Sequence, residues 1–276
     1  MRTVIKDKDI ILYDLKNFNL RETLDCGQAF RWTENEDGSW QGVAFGKYLR
    51  LSADDEKIIF HDTTEKDFLD IWKNYFDLDR DYGKIITAIS ENEVLKTASG
   101  FAGGIRILRQ DPWEALCSFI ISQNNNIPRI KGIVERLCKA FGEKIAEGLY
   151  SFPSAERVAD LSLEDLAPLR SGFRAKYILD AARKVASGEV DLNAIRTEQT
   201  DLARNELMKI YGVGEKVADC TLLFGLSHID AFPKDVWIKR AMVKLFDGEL
   251  PLCALPYAGI AQQYIFHYAR MTKLEI

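Results

Sequence analysis

The sequence predicts an α+β protein, with an antiparallel sheet near the N-terminus followed by a long helical region. Two observations carry this. From Ala29 to Asp62 aromatic and β-branched residues surround a hairpin signal, and after Thr64 the apolar residues recur at helical spacing. The 276 residues, 47% of them hydrophobic, can bury one large core or two ordinary ones. The change of pattern sets the expected division: an N-terminal antiparallel sheet domain with flanking helices over 1–105, and a helical domain over 106–276.

Each element has its own warrant. AFRWTENEDGSWQGVAFGKYLRLS folds back at Asp37-Gly38, and EKIIFHD supplies a further strand. FLDIWKNYF, DPWEALCSFIISQ, IKGIVERLCKAF, RAKYILDAARKVA and DLARNELMKI read as helices, and the pattern stays helical from Thr64 onward. Asp111 with Pro112 behind it marks one helix start, and Ser162 with Asp165 forms a capping box at another. No repeat or low-complexity linker interrupts the chain.

Composition narrows the function classes. No apolar run approaches the ~20 residues of a membrane span, and MRTVIKDKDI lacks the apolar core of a signal peptide. The expectation is a cytoplasmic protein. The five cysteines are scattered without a Cys-x-x-Cys pair, so neither a disulfide framework nor a metal site is expected. The net charge of −5 disfavours a phosphate partner by itself, but residues 1–100 hold 14 Lys+Arg against 20 Asp+Glu, leaving 23 against 22 for the rest. Local patches set the field at a binding face, so a nucleic-acid surface in the later part stays open.

The stretch YGVGEKVADC, Tyr211 to Cys220, is the most informative. NELMKI ends one helix, Gly212, Val213 and Gly214 make a turn, and EKVADCTLLFGL begins another. This helix-hairpin-helix offers backbone N–H groups to an anion, with glycines that permit φ > 0 and close approach. A bare glycine turn between core helices is the blander reading. Lys216 changes the balance, because the first turn of a helix and partial burial favour its free amine, a nucleophile. Cys220, four residues on, shares its face, and Asp219 reads as a surface ion-pair partner of Lys216. Further along, DAFPKDVW puts Asp235 on a loop entering the next helix, where it caps N–H groups or serves chemistry.

GVGEKVADC followed by FPKDVW resembles the helix-hairpin-helix superfamily of DNA glycosylases. DCGQAFRW (Asp25–Trp32), the segment Gly104–Leu137, GFRAKY (Gly172–Tyr177) and PYAGIAQQYIF (Pro256–Phe266) are similar to signature stretches of its 8-oxoguanine DNA glycosylases. The resemblance covers nearly the whole chain.

It implies a bifunctional glycosylase and abasic-site lyase of base excision repair, which flips 8-oxoguanine out of double-stranded DNA. Lys216 matches the nucleophile that forms a Schiff base, and Asp235 the carboxylate that steadies charge on the sugar. Gly27 matches the backbone acceptor of the lesion's N7–H, and Gln262 the reader of its Watson-Crick edge. Cys220 and Phe266 match the faces that sandwich the base. Asn124, Arg129 and Arg174 match the group that holds the orphaned cytosine. Phe173 stands where better-known eukaryotic members have a tyrosine wedge, and Trp237 where they have a histidine near the phosphate. No metal or cofactor is implied. A monomer in a prokaryotic cytoplasm is the expectation.

Rival readings are weighed by the same residues. Adenine and oxidised-pyrimidine glycosylases mostly carry an iron-sulfur cysteine cluster, which is absent, and alkylbase glycosylases lack the lysine. A non-catalytic hairpin module needs neither Lys216 nor Asp235. A small-molecule Schiff-base enzyme lacks support from any barrel pattern or phosphate fingerprint.

Overall fold

The computed structural model describes residues 1–272. Six strands form one antiparallel sheet: β1 (Arg2–Lys6), β2 (Asp9–Tyr13), β3 (Trp32–Glu34), β4 (Trp40–Ala44), β5 (Lys47–Ala53) and β6 (Lys57–His61), in the order β1-β2-β6-β5-β4-β3. The hairpin closes at the expected Asp37-Gly38, where the Asp37 carboxylate accepts from the Ser39 N–H at 3.0 Å. The sheet also gains β1 and β2, which the sequence reading left out. β1 lies at the sheet edge with mostly exposed side chains and shows no alternation to detect, whereas β2 buries Ile10, Ile11 and Leu12.

One face of the sheet closes on an aromatic cluster. Trp32, Trp72, Tyr75 and Phe76 are all buried, with the Trp32 indole N–H donating to the Tyr75 hydroxyl at 2.8 Å. Beyond the sheet, the regular elements of the described residues are helices apart from a two-stranded ladder, Lys144–Ala146 with Leu149–Tyr150. That ladder corrects the expectation of unbroken helix after Thr64. Both predicted helix starts form: the Asp111 carboxylate accepts from the Glu114 N–H, and Ser162 and Asp165 make a reciprocal capping box.

A second, larger core lies among the helices. The helices Tyr82–Ile89 and Glu93–Phe101 bury Tyr82, Ile85, Ile89, Leu95 and Ala98 there and not against the sheet. The sheet and the helices are joined by polar staples. Gln28, wholly buried, donates to the Thr23 and Arg106 carbonyls at 2.8 Å each, and accepts from the Leu108 N–H at 2.9 Å. With its amide satisfied in the core, Gln28 fixes the turn that carries Gly27. Arg31 reaches from the sheet side to Glu114 at 3.4 Å.

Candidate active site

The hairpin takes the shape its residues demand. Helix Thr200–Leu207 ends before the turn, and Gly214 is the N-cap of helix Glu215–Gly225. Gly212 adopts φ +82, and a Cβ there would lie 2.5 Å from the Tyr177 ring, so only glycine lets the turn seat on that ring. Gly214 is extended, with φ −105, and needs no left-handed freedom. Val213 buries its side chain and donates its N–H to the Ile210 carbonyl at 3.0 Å. Among the described residues the turn's remaining donors are therefore the N–H groups of Gly212 and Gly214, together with those of Glu215 and Lys216 at the start of the helix.

Lys216 stands in that first turn. Its Nζ donates to the Ser122 hydroxyl at 3.2 Å and lies 5.3 Å from the Phe119 ring centre. Both partners come from the end of helix Pro112–Ser122. The Ser122 hydroxyl donates to the Phe119 carbonyl at 2.8 Å, which leaves its lone pairs to the lysine. Asp219 is not the lysine's partner. It is buried, and its carboxylate accepts from Arg204 Nε at 2.6 Å, tying the two hairpin helices together.

Asp235 takes the capping reading of its position and also lines the cleft that Lys216 enters. As N-cap of helix Val236–Phe246 it accepts from the Ile238 N–H at 2.8 Å. Burial raises its carboxyl above the usual aspartate range, opposed by the Ile238 N–H and by the charge of Lys216. Lysine and aspartate share a cleft of about 1140 Å³ whose walls also include Gly27, Ser122, Asn124, Trp237 and Phe266. Gly27 adopts φ +86, and a Cβ on it would point at the Ile127 and Phe266 side chains, 3.6 and 3.9 Å away.

The remaining expected residues sit around this cleft in distinct ways. Cys220 is buried and does not line the cleft; burial pushes its thiol up to about 11, with Lys216 opposing. Gln262 is also buried, donating to the Pro233 carbonyl at 3.1 Å and accepting from Gln263 at 2.8 Å. Its amide thus braces the loop that presents Asp235. Asn124, Arg129 and Arg174 gather on one rim. The buried Arg174 guanidinium donates to the carbonyls of Gln123, Asn124 (2.9 Å) and Ser171 (3.1 Å), and holds Asn124 at φ +46. Burial and the neighbouring Arg129 charge depress its pKa below the ordinary arginine value. Arg129 is exposed, and its guanidinium donates to the Arg170 carbonyl over a long 3.5 Å. Phe173 projects beside them, 47% exposed.

Three contributors were missed from sequence. Ser122 and Gln28 are ordinary polar residues whose partners are fixed only by tertiary packing, and Tyr177 read as one apolar position of a helix. The DCGQAF run itself pointed at Gly27 but not at the residue that locks it.

Similarity to known proteins agrees with this geometry. Residues 10–116 match the description "8-oxoguanine DNA glycosylase, N-terminal domain", and residues 117–249 match "HhH-GPD superfamily base excision DNA repair protein". The MBOgg1 protein, solved with a low-affinity DNA ligand, has a TM-score of 0.93 at 44% identity, covering 99% of each chain. The chain belongs to the 8-oxoguanine DNA glycosylase family.

The Clostridium acetobutylicum 8-oxoguanine glycosylase/lyase, solved with double-stranded DNA carrying cytosine opposite 8-oxoguanine, also superposes on this glycosylase. Its TM-score is 0.93 at 37% identity, over 99% of each chain. The Saccharomyces cerevisiae N-glycosylase/DNA lyase is 34% identical over 254 residues, which span 80% of this chain and 66% of the yeast protein. Relatives of both kinds carry a glycosylase and a lyase function, so the glycosylase is an enzyme of base excision repair and not a non-catalytic hairpin module. Among its described residues no helix is long and apolar enough to cross a membrane.

Proposed function

We propose that the glycosylase excises 8-oxoguanine from double-stranded DNA with Lys216 as the nucleophile, prefers cytosine opposite the lesion, and cuts the strand by β-elimination. The observation that carries this reading is the meeting of Lys216 and Asp235 in one cleft, with the Gly27 turn on its wall.

The glycosidic bond is out of reach in the stack, so the nucleotide is flipped into the cleft. The lysine amine attacks C1′, the bond from C1′ to N9 breaks, and the base departs with the electron pair and gains a proton. Positive charge builds on the sugar as that bond lengthens, and the Asp235 carboxylate stabilises it. The amine then passes a proton to O4′, the C1′–O4′ bond breaks with its electron pair on that oxygen, and the nitrogen lone pair closes the C1′=N bond of the Schiff base on the opened sugar. Loss of a C2′ proton then expels the 3′ phosphate. All of these steps run on the lysine, with no cofactor.

Selectivity follows from one hydrogen bond. 8-Oxoguanine carries an N7–H that the Gly27 carbonyl accepts, whereas guanine would bring a lone pair against that oxygen, a buried mismatch that is costly. Phe266 and Cys220 enclose the base and Gln262 reads its edge. On the rim, Phe173 wedges into the duplex, and Asn124, Arg129 and Arg174 fill the vacated stack and hold the cytosine. The free N–H groups at Gly212 and Gly214 take a backbone phosphate. The protein acts as a monomer on its duplex.

The test is base release from duplexes carrying 8-oxoguanine, 3-methyladenine or guanine. Free 8-oxoguanine and a β-elimination end, with the other two substrates intact, support the reading. Release of 3-methyladenine in preference overturns it.

A further inference from the structure

We propose that Tyr177 is a positioning residue that couples the Phe173 wedge to the hairpin, so that the side chain entering the duplex and the backbone gripping the strand act as one body. The inference rests on Phe173 being the wedge. Phe173 occupies the N-cap position of helix Arg174–Ala186 without a side-chain cap bond, and at 47% exposure nothing in its own backbone orients the ring. Two contacts do so. The Arg174 guanidinium covers the ring at 4.3 Å, and the Tyr177 ring meets it at 5.6 Å and 67°, edge to face.

Tyr177 is one helical turn beyond Phe173, and its ring also meets Tyr211 of the hairpin turn, at 5.1 Å and 84°. Gly212, with no room for a Cβ, is the seat on which the same ring rests. A second tie runs parallel to it: the Asp180 carboxylate, on the same helix, accepts the Tyr211 N–H at 2.7 Å. Lys176 places its ammonium over both tyrosine rings, at 5.7 and 5.4 Å, on the exposed side. Phe173, Tyr177 and Tyr211 thus form a continuous row from the rim of the cleft to the phosphate-binding turn. A wedge must keep its posture against base pairs that tend to restack, and a wedge anchored to the strand grip does so without separate ordering. The contacts to Phe173, Tyr211, Lys176 and the Gly212 seat are all made by the Tyr177 ring, which phenylalanine retains.

The experiment is single-turnover base release from an 8-oxoguanine duplex by wild type, Tyr177→Phe, Tyr177→Leu, Phe173→Ala and the Tyr177→Leu/Phe173→Ala double variant. Tyr177→Phe should keep the wild-type rate, which also shows that the site tolerates substitution. Tyr177→Leu, which retains apolar bulk against the core, should slow release about five- to tenfold. In the Phe173→Ala background the same change should cost nothing further. An equal fractional loss in both backgrounds would overturn the coupling and leave Tyr177 a general packing residue. A wild-type rate for Phe173→Ala would instead overturn the wedge reading itself, and the coupling with it.

Discussion

The Lys216 amine donates to the Ser122 hydroxyl at 3.2 Å, and that hydroxyl donates onward to the Phe119 carbonyl at 2.8 Å. A lysine on a flexible stem is thereby held at one spot over the cleft by a serine whose own proton is committed elsewhere. Ser122→Ala should slow formation of the covalent adduct about three- to tenfold, the effect of one hydrogen bond, without changing affinity for DNA. Borohydride trapping under single-turnover conditions measures it. An unchanged trapping rate would mean that the hydroxyl merely finishes its helix.

Asp235 separates chemistry from capping. Asparagine at this position keeps an oxygen for the Ile238 N–H but not the negative charge. Asp235→Asn should therefore melt near wild type while releasing base about 100- to 1000-fold more slowly. Asp235→Ala should show the same kinetic loss plus about 1 kcal/mol of lost stability. If Asp235→Asn retains the wild-type rate, the carboxylate serves the helix alone.

The rim predicts a division between its two arginines. Arg174 is buried and engaged with backbone carbonyls, so its removal disturbs the Asn124 loop. Arg129 is exposed and nearly uncommitted, the better candidate for a reader of the opposite base. We expect wild type to prefer cytosine over adenine by about one to two orders of magnitude, and Arg129→Met to lose about tenfold of that preference. Excision rates opposite all four bases decide it; a mutant as selective as wild type would remove Arg129 from the role.

The joint between sheet and helices carries a pH dependence. Burial raises Glu114 from its usual 4.5 to about 7, with the Arg31 charge opposing. The folded chain then holds a proton that the unfolded chain has released between those two values, so stability falls as pH rises through the window and is level above it. Urea unfolding at pH 5 and pH 7.5 should show wild type losing on the order of 1–3 kcal/mol relative to Glu114→Gln. Wild type gaining stability relative to Glu114→Gln between pH 5 and pH 7.5 would contradict the assignment.

Much of this was legible from residue order. Lys216, Asp235 and the glycine turn lie in compact local motifs, and local spacing alone puts Lys216 and Cys220 on one helical face. The sheet from β3 to β6 was legible because aromatic and β-branched runs flank Asp37-Gly38. What escaped depends on partners distant in the chain. Asp219 pairs with Arg204 across the hairpin, where adjacency suggested Lys216. The buried amide of Gln28 is explained by the Arg106 carbonyl and the Leu108 N–H, some eighty residues away. β1, at an exposed edge, carries no alternating pattern to betray it.

The central claim is that the Lys216 amine is the nucleophile, and borohydride trapping on an 8-oxoguanine duplex tests it most directly. Wild type should give a covalent protein-DNA adduct in parallel with base release, and Lys216→Gln should give neither while still binding the duplex, because the hairpin's phosphate contacts come from backbone N–H groups. Base release by Lys216→Gln at near the wild-type rate would contradict the account.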